Sequence, residues 1–346
     1  MGMLNQVIRK ISEGKHLSEA EAFAAVNEIM SGEADAVEIA AFLTGLRVKG
    51  ETVSEITGAT RSMRDFGVRI HPNVDFLVDP VGTGGDQTGT VNISSAAALV
   101  AAAAGAKVAK HGNRSVSSKC GSADFFEKLG LDINLSPEEV QRCIETYGFG
   151  FMYAPTFHPA MRHAAPVRRQ LGIRTLFNIL GPLSNPAGAQ GQVIGVHDAA
   201  IMPFIAETLR AIGVLHALVV HGSDHTDEIT ISGETYVTEL KDGQITSGII
   251  RPEDFGLTPA PLESIRGDSP EDNVRIILAA FRGEAGPVRD VILMNAAATV
   301  YVGQKAASLQ EGFEKARQAI DSGAVLCLID QLRTVRHQPQ PVEAAL

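Results

Sequence analysis

From Phe76 to Ile231, short apolar runs of strand length alternate with stretches of helical spacing. No single motif narrows the fold as much as this alternation. The runs are FLVD (76–79), KVAK (107–110), QVIGV (192–196), HALVVH (216–221) and DEITI (227–231), while 94–104, 122–130, 136–147 and 199–212 read as helices. Parallel strands need crossovers of helical length, so the pattern predicts a mostly parallel sheet with helices on its faces. TYVTELKDGQITSGII departs from it, because Asp242-Gly243 between two β-like runs is a hairpin signal. Helical spacing returns in DNVRIILAAFRG, RDVILMNAAATVYVG and LQEGFEKARQAIDSG.

The chain ahead of the sheet reads as helix alone. Leu4, Val7, Ile8 and Ile11 keep helical spacing. Ser18 with Glu21 and Thr52 with Glu55 form capping boxes, and Asp35 can cap a helix whose Ile39, Leu43 and Leu46 share a face. The expected fold class is α/β: a small N-terminal helical domain (1–73), then a larger α/β domain (74–336) with a mostly parallel central sheet, then a loose tail (337–346). The segment 167–188, with three arginines and then Pro182 and Pro186, breaks the alternation and reads as a crossing between the two domains.

Composition removes several function classes. Hydrophobic residues make up 45% of the 346 residues and charged residues 20%, which suits a globular chain rather than a disordered one. A net charge of −10 argues against a nucleic-acid partner, which leaves a basic footprint. Cys120, Cys143 and Cys327 show neither zinc spacing nor a disulfide framework, so a cytoplasmic setting is expected. The N-terminus has no apolar signal region, and the longest apolar run, 94–106, is too short to span a bilayer, so no membrane partner is expected.

Gly82, Gly84 and Gly85 follow the first strand and precede a helix. Bare backbone there can turn its N–H groups onto an anion beside a helix N-terminus, or it can be a tight turn with no ligand. A dinucleotide fingerprint fails at Gln87, and a P-loop fails because Gly89 is followed by Thr90. KHGNR (110–114) then brings Lys110 and Arg114, and SSKCGSAD adds the hydroxyls of Ser117, Ser118 and Ser122. Two glycine-bearing loops at the ends of neighbouring strands, with cations and hydroxyls converging, point to a ligand carrying several phosphate groups.

GTGGD…NIS, KHGNRSVSS, GSAD, FHPAMRHAAPVRRQLGIRTLFNILGPLSNPA and VVHG…DE together closely resemble the anthranilate phosphoribosyltransferases, over nearly the whole chain. The resemblance implies a fold of the nucleoside phosphorylase/phosphoribosyltransferase type and a homodimer joined through the helical part. It implies transfer of ribose phosphate from phosphoribosyl pyrophosphate (PRPP) to the amine of anthranilate in tryptophan biosynthesis. On the donor side it implies Gly82, Thr83, Gly84, Gly85, Asp86, Thr90, Asn92, Ser94, Ser95, Lys110 and Ser122. Toward anthranilate it implies Gly82, His111, Asn113, His158 and Arg168, and for Mg²⁺ it implies Ser94, Asp227 and Glu228. No Ser or Cys nucleophile is demanded, since the acceptor amine is nucleophilic when neutral.

Plainer readings stand beside these. Arg168 can be one half of a surface ion pair, and Asp227 and Glu228 a solvated acidic pair. Adjacent residues on a strand would also point to opposite faces. His111 and His158 can be general bases or hydrogen-bonding walls. Four positions depart from the family's usual residues: Gln87 and His225 stand for glycine, Ser95 for threonine and Cys120 for serine. Pyrimidine nucleoside phosphorylases write their Lys-His and glycine pieces as one run, KHSTGGVGD, whereas here the pieces lie apart. A nucleic-acid-binding relative would be more basic and would lack VRRQLG or DE.

Overall fold

The computed structural model describes residues 2–84, 88–115 and 119–338. Four helices open the chain: α1 (Met3–Ser12), α2 (Glu19–Ser31), α3 (Ala36–Lys49) and α4 (Val53–Asp65). Ser18, Asp35 and Thr52 each close a capping box at the start of a helix, satisfying backbone N–H groups that would otherwise lack partners.

Among the described residues the strands form one seven-stranded sheet, ordered β3-β2-β1-β4-β5-β6-β7. They are β1 (Val78–Gly82), β2 (Val108–Gly112), β3 (Phe149–Tyr153), β4 (Gly191–Gly195), β5 (His216–Gly222), β6 (Thr235–Lys241) and β7 (Gln244–Ile250). Strands β1 to β5 pair in parallel, and β6 and β7 add an antiparallel edge. Asp242 and Gly243 turn the final hairpin, both with positive φ (50° and 75°). The small helical domain and the mostly parallel sheet are those the sequence predicts.

The crossovers are α5 (Ile93–Ala103), α6 (Ser122–Leu129), α7 (Pro137–Tyr147), the short α8 (Ala154–Phe157), α9 (Ala165–Leu171), α10 (Leu176–Leu183) and α11 (Met202–Ala211). After the hairpin come α12 (Pro270–Phe281), α13 (Pro287–Val302), α14 (Leu309–Asp321) and α15 (Ala324–Thr334). No helix among the described residues is long and apolar enough to cross a membrane.

Side chains alternating along the strands divide the core. Leu218 and Val220 of β5 join the cluster under α5, α13, α14 and α15, whereas Ala217 and Val219 join one that continues into α1–α4. Helix α9 packs on α3, and α10 packs on α3 and α4. Arg64, in the last turn of α4, donates to the carbonyls of Leu183 (3.0 Å) and Ile212 (3.5 Å) at the ends of α10 and α11. The carbonyl ends of two helices thus face its guanidinium, while burial, with the nearby charge of Arg69, lowers its pKa to about 10.

Three expectations need correction. Strand β3 starts directly after Gly148, where the sequence gives no turn cluster, and the sequence pattern does not predict it. Residues 227–231 are no strand: the Ile229 and Thr230 N–H groups donate to the side chains of Asn295 (3.0 Å) and Thr235 (3.0 Å) instead of to a ladder. His337 and Gln338 are not loose, because their N–H groups donate to Asp132 (3.0 Å) and Glu139 (2.8 Å). Residues 339–346 lie outside the described residues.

Candidate active site

Parallel strands β1, β2, β4 and β5 all end in glycine: Gly82, Gly112, Gly195 and Gly222. The order reverses at β1, whose neighbours are β2 and β4, and the carboxyl edge at such a switch point is where open α/β sheets form crevices. Gly82 and Gly195 are register partners, and Asp227 lies against both. A Cβ on Gly82 would come within 2.5 Å of the Asp227 carboxylate, and one on Gly195 would fall on the Asp227 backbone carbonyl. Gly195→Ala therefore has to displace backbone. We expect it to lower stability by about 1–3 kcal/mol in urea unfolding; a neutral result would mean that Asp227 does not rest there.

From this seat the two acidic side chains diverge. Asp227 accepts from the Gly84 N–H (2.7 Å), where the backbone is left-handed (φ 69°). Glu228 accepts from the Ser94 N–H (3.0 Å) in the first turn of α5. The pair thus links the glycine loop to a helix N-terminus, where anions are favoured. Among the described residues no group of three or more His, Cys, Asp or Glu side chains gathers as a metal site. Glu228 at the Ser94 N–H and Asp227 at the Gly84 N–H supply a donor set of two carboxylates that fits Mg²⁺, which takes few carboxylates and completes its shell with water and phosphate oxygens. His225, two residues earlier, has φ 66°, a conformation that glycine adopts at less cost. His225→Gly should raise the unfolding free energy by about 1 kcal/mol in urea titration, and a loss would contradict this account.

Lys110 is 1% exposed, beneath the crevice rather than on its rim. Its ammonium donates to the Pro80 carbonyl (2.7 Å) and reaches the Ser94 hydroxyl (3.5 Å). Strands β1 and β2 register only at Val78 and Val108 and then part. Beyond that point the fully buried Asp79 carboxylate takes over, accepting from the His111 N–H (3.2 Å) and the Asn185 amide (2.7 Å). Burial lifts Asp79 to about 6 against the pull of Lys110, and burial pushes Lys110 down against Asp79, Glu228 and Asp227.

The other expected donor-side residues line the same edge. The Thr83 N–H extends the ladder to the Gly195 carbonyl (2.9 Å), and Thr90 bridges to Arg266. Asn92 precedes α5, its N–H held by Asn273 (3.0 Å) and its amide donating to the Cys120 carbonyl (3.0 Å). Ser95 is buried, its hydroxyl without a partner among the described residues, and Ser122 opens α6. Gly85, Asp86, Gln87, Ser117 and Ser118 lie outside the described residues. Arg114 is not available for phosphate, because Asp124 and Glu127 each hold its guanidinium at 2.8 Å.

On the acceptor side Asn113 is exposed, just past β2. Arg168, on α9, lies over the Phe177 ring at 5.5 Å and has no ion-pair partner among the described residues, so the surface ion-pair reading falls away. Burial lowers its pKa. Six residues on, Arg174 donates to the Gly84 carbonyl (2.8 Å) and ties this arm to the glycine loop.

His111 and His158 meet edge to face, 5.0 Å apart. Burial holds His111 down at about 3, helped by His158, and holds His158 at about 4. His158 Nε2 lies 3.1 Å from the Ser184 carbonyl and must donate to it, which leaves Nδ1 as a buried acceptor. Both histidines stay neutral when folded, whereas in the unfolded chain they take up protons near pH 6.5. Their contribution to stability is therefore lost as pH falls below 6.5, by about 2 kcal/mol each at pH 5. Asp79 acts in the opposite sense between about pH 6 and 3.8. The melting temperature of a His111→Asn/His158→Asn variant should fall less than that of the parent between pH 7 and 5; equal falls would contradict the shifts.

Reading the residues alone did not find Asp79, Arg174, Asn185, Gly195 or Asn295. Two of them carried a readable signal: Asp79 follows an apolar strand run, and Asn295 stands alone inside an apolar helix.

Comparison with known proteins agrees with this geometry. Residues 5–67 match the helical bundle domain of a glycosyl transferase family, and residues 75–326 match its α/β domain. The anthranilate phosphoribosyltransferase of Symbiobacterium thermophilum is 50% identical over 335 residues, covering 97% of this chain and 98% of the relative. The structure of the Thermus thermophilus enzyme superposes with a TM-score of 0.90 at 43% identity, covering 94% of this chain and 98% of that one. The Saccharomyces cerevisiae enzyme, solved in complex with PRPP and Mg, gives 0.87 at 28% identity, covering 95% and 96%. With both layers of the fold matched end to end at such identity, the chain belongs to the anthranilate phosphoribosyltransferase family.

Proposed function

We propose that the chain transfers the 5-phosphoribosyl group from PRPP to the amine of anthranilate, giving phosphoribosyl anthranilate and pyrophosphate in tryptophan biosynthesis. The bond from ribose C1 to the pyrophosphate oxygen breaks, a C1–N bond forms, and the amine loses a proton. One observation carries the acceptor half: Arg168 is a partly buried guanidinium braced on an aromatic ring, with no carboxylate partner among the described residues. A ligand carboxylate would complete it with two parallel hydrogen bonds.

Gly82, Thr83, Gly84, Gly85, Asp86, Thr90, Asn92, Ser94, Ser95, Lys110 and Ser122 make up the donor side. Lys110, bound to the Pro80 carbonyl and close to the Ser94 hydroxyl, adds positive charge beneath the donor side to offset the departing oxyanion. Ser94, Asp227 and Glu228 would hold Mg²⁺, which when bound offsets charge on the leaving pyrophosphate. Asn113, His111, His158, Arg168 and Gly82 form the acceptor side. The histidines serve as neutral walls, since an aromatic amine needs no base to attack. Catalysis is then positioning plus stabilisation of the leaving group.

The reading divides the chain into a helical domain (1–73) and an α/β domain (74–336), with 167–188 crossing between them, and places it in the cytoplasm as a homodimer. Val37, Ala41 and Val48, exposed along one stripe of α3, support pairing through the helical part. The function is tested by following anthranilate fluorescence with PRPP and Mg²⁺. Loss of signal that needs all three components and the protein supports it; a stable signal refutes it.

A further inference from the structure

We infer that Asn295 and Asp224 are positioning residues that hold the Asp227–Glu228 segment in its metal-binding shape before any metal arrives. The inference rests on the reading of those two carboxylates as metal ligands. Asn295 is 3% exposed in the middle of α13, among Val291, Ile292, Leu293, Met294 and three alanines. Its Oδ1 accepts from the Ile229 N–H (3.0 Å), and its Nδ2 donates to the Ile229 carbonyl (2.8 Å). One amide thus satisfies both backbone groups of the residue next to Glu228, as a neighbouring strand would. A second bond from Nδ2, to the Val291 carbonyl (2.9 Å), fixes the amide's orientation.

Asp224 secures the other side. One carboxylate oxygen accepts from the Thr226 N–H (3.2 Å) and the Thr226 hydroxyl (2.7 Å). The other accepts from the hydroxyls of Thr230 (2.5 Å) and Ser232 (2.6 Å). Four donors on residues 226 to 232 therefore converge on one side chain, and Asp227 and Glu228 lie inside the closed span. Neither Asn295 nor Asp224 need touch substrate. Outer groups of this kind orient ligands and commonly alter metal affinity by about 10–100-fold when removed.

Helix α13 makes the clamp rigid. It packs against α5, which carries Ser94, and against α14, where Gly312 leaves no room for a Cβ beside the Ala297 carbonyl. The same helix therefore packs on α5 and holds the acidic segment, the two elements joined by the Ser94–Glu228 bond. A shift of Asn295 would move Glu228 relative to α5.

Hydrogen exchange of the metal-free chain tests this without reference to turnover. In Asn295→Ala, and separately in Asp224→Asn, a peptide covering 222–232 should exchange about tenfold faster than in the parent, while peptides from β5 and α5 keep their rates. Mn²⁺ titrated by electron paramagnetic resonance in the presence of pyrophosphate should bind about 10–100-fold more weakly to both variants. Parental exchange of the 222–232 peptide in both variants would overturn the inference. So would faster exchange across the whole molecule, or parental Mn²⁺ affinity alongside the expected local loosening. If Asp227→Asn/Glu228→Gln binds Mn²⁺ as the parent does, the ligand assignment fails, whatever the exchange of 222–232 shows.

Discussion

Arg168→Ala should lower kcat/KM for anthranilate by about 30–1000-fold and leave the affinity for PRPP unchanged. The range corresponds to about 2–4 kcal/mol for a charge-assisted bidentate contact. The structure makes the loss selective. The guanidinium is held by the Phe177 face and has no carboxylate partner among the described residues, so removing it strands no buried anion. Burial already works against its charge, which leaves the group ready for an incoming carboxylate. Arg168→Lys should fall between the two, because an ammonium keeps the charge but loses the planar fork. Calorimetry with PRPP and steady-state kinetics with anthranilate separate the two sides. Unchanged anthranilate kinetics would remove Arg168 from the acceptor site.

What the sequence showed about this fold was mostly local. Ser18, Asp35 and Thr52 marked helix starts because a cap and its N3 glutamate lie within one turn. The parallel strands showed as apolar runs because both of their faces are buried. Local signals misled at 227–231, whose β-branched residues look like a strand. Its partner is a side chain 66 residues away, and no window of sequence contains both. Strand β3 escaped because the chain passes from α7 through Gly148 alone into FGFMY.

The site was legible in part for the same reason. Glycines at strand ends are visible as letters, but that Gly195 must be bare follows only from Asp227 crossing above it. Lys110 reads as a surface cation beside a loop, yet the parting of β1 and β2 admits it to the interior, where Asp79 faces it. Family resemblance supplied the acidic pair and Arg168. Arg174, Asn185 and Asn295 hold the Gly84 carbonyl, Asp79 and Ile229 through long-range bonds that no spacing rule records.

The account's central claim is that the acidic pair acts through a metal beside the leaving group rather than as a proton acceptor. Asp227→Asn/Glu228→Gln removes two charges and keeps oxygen atoms able to accept from the Gly84 and Ser94 N–H groups, so the variant should fold. At a fixed, moderate Mg²⁺ concentration its activity should fall by about a hundredfold or more. A proton acceptor lost from the same place would give a defect that no amount of metal repairs and would flatten the acid limb of the pH profile. The deciding measurement is activity against Mg²⁺ concentration, with metal affinity measured on the same preparation. The account predicts weakened metal affinity and activity that partly recovers as Mg²⁺ rises; activity that stays low at saturating Mg²⁺ with parental metal affinity would contradict it.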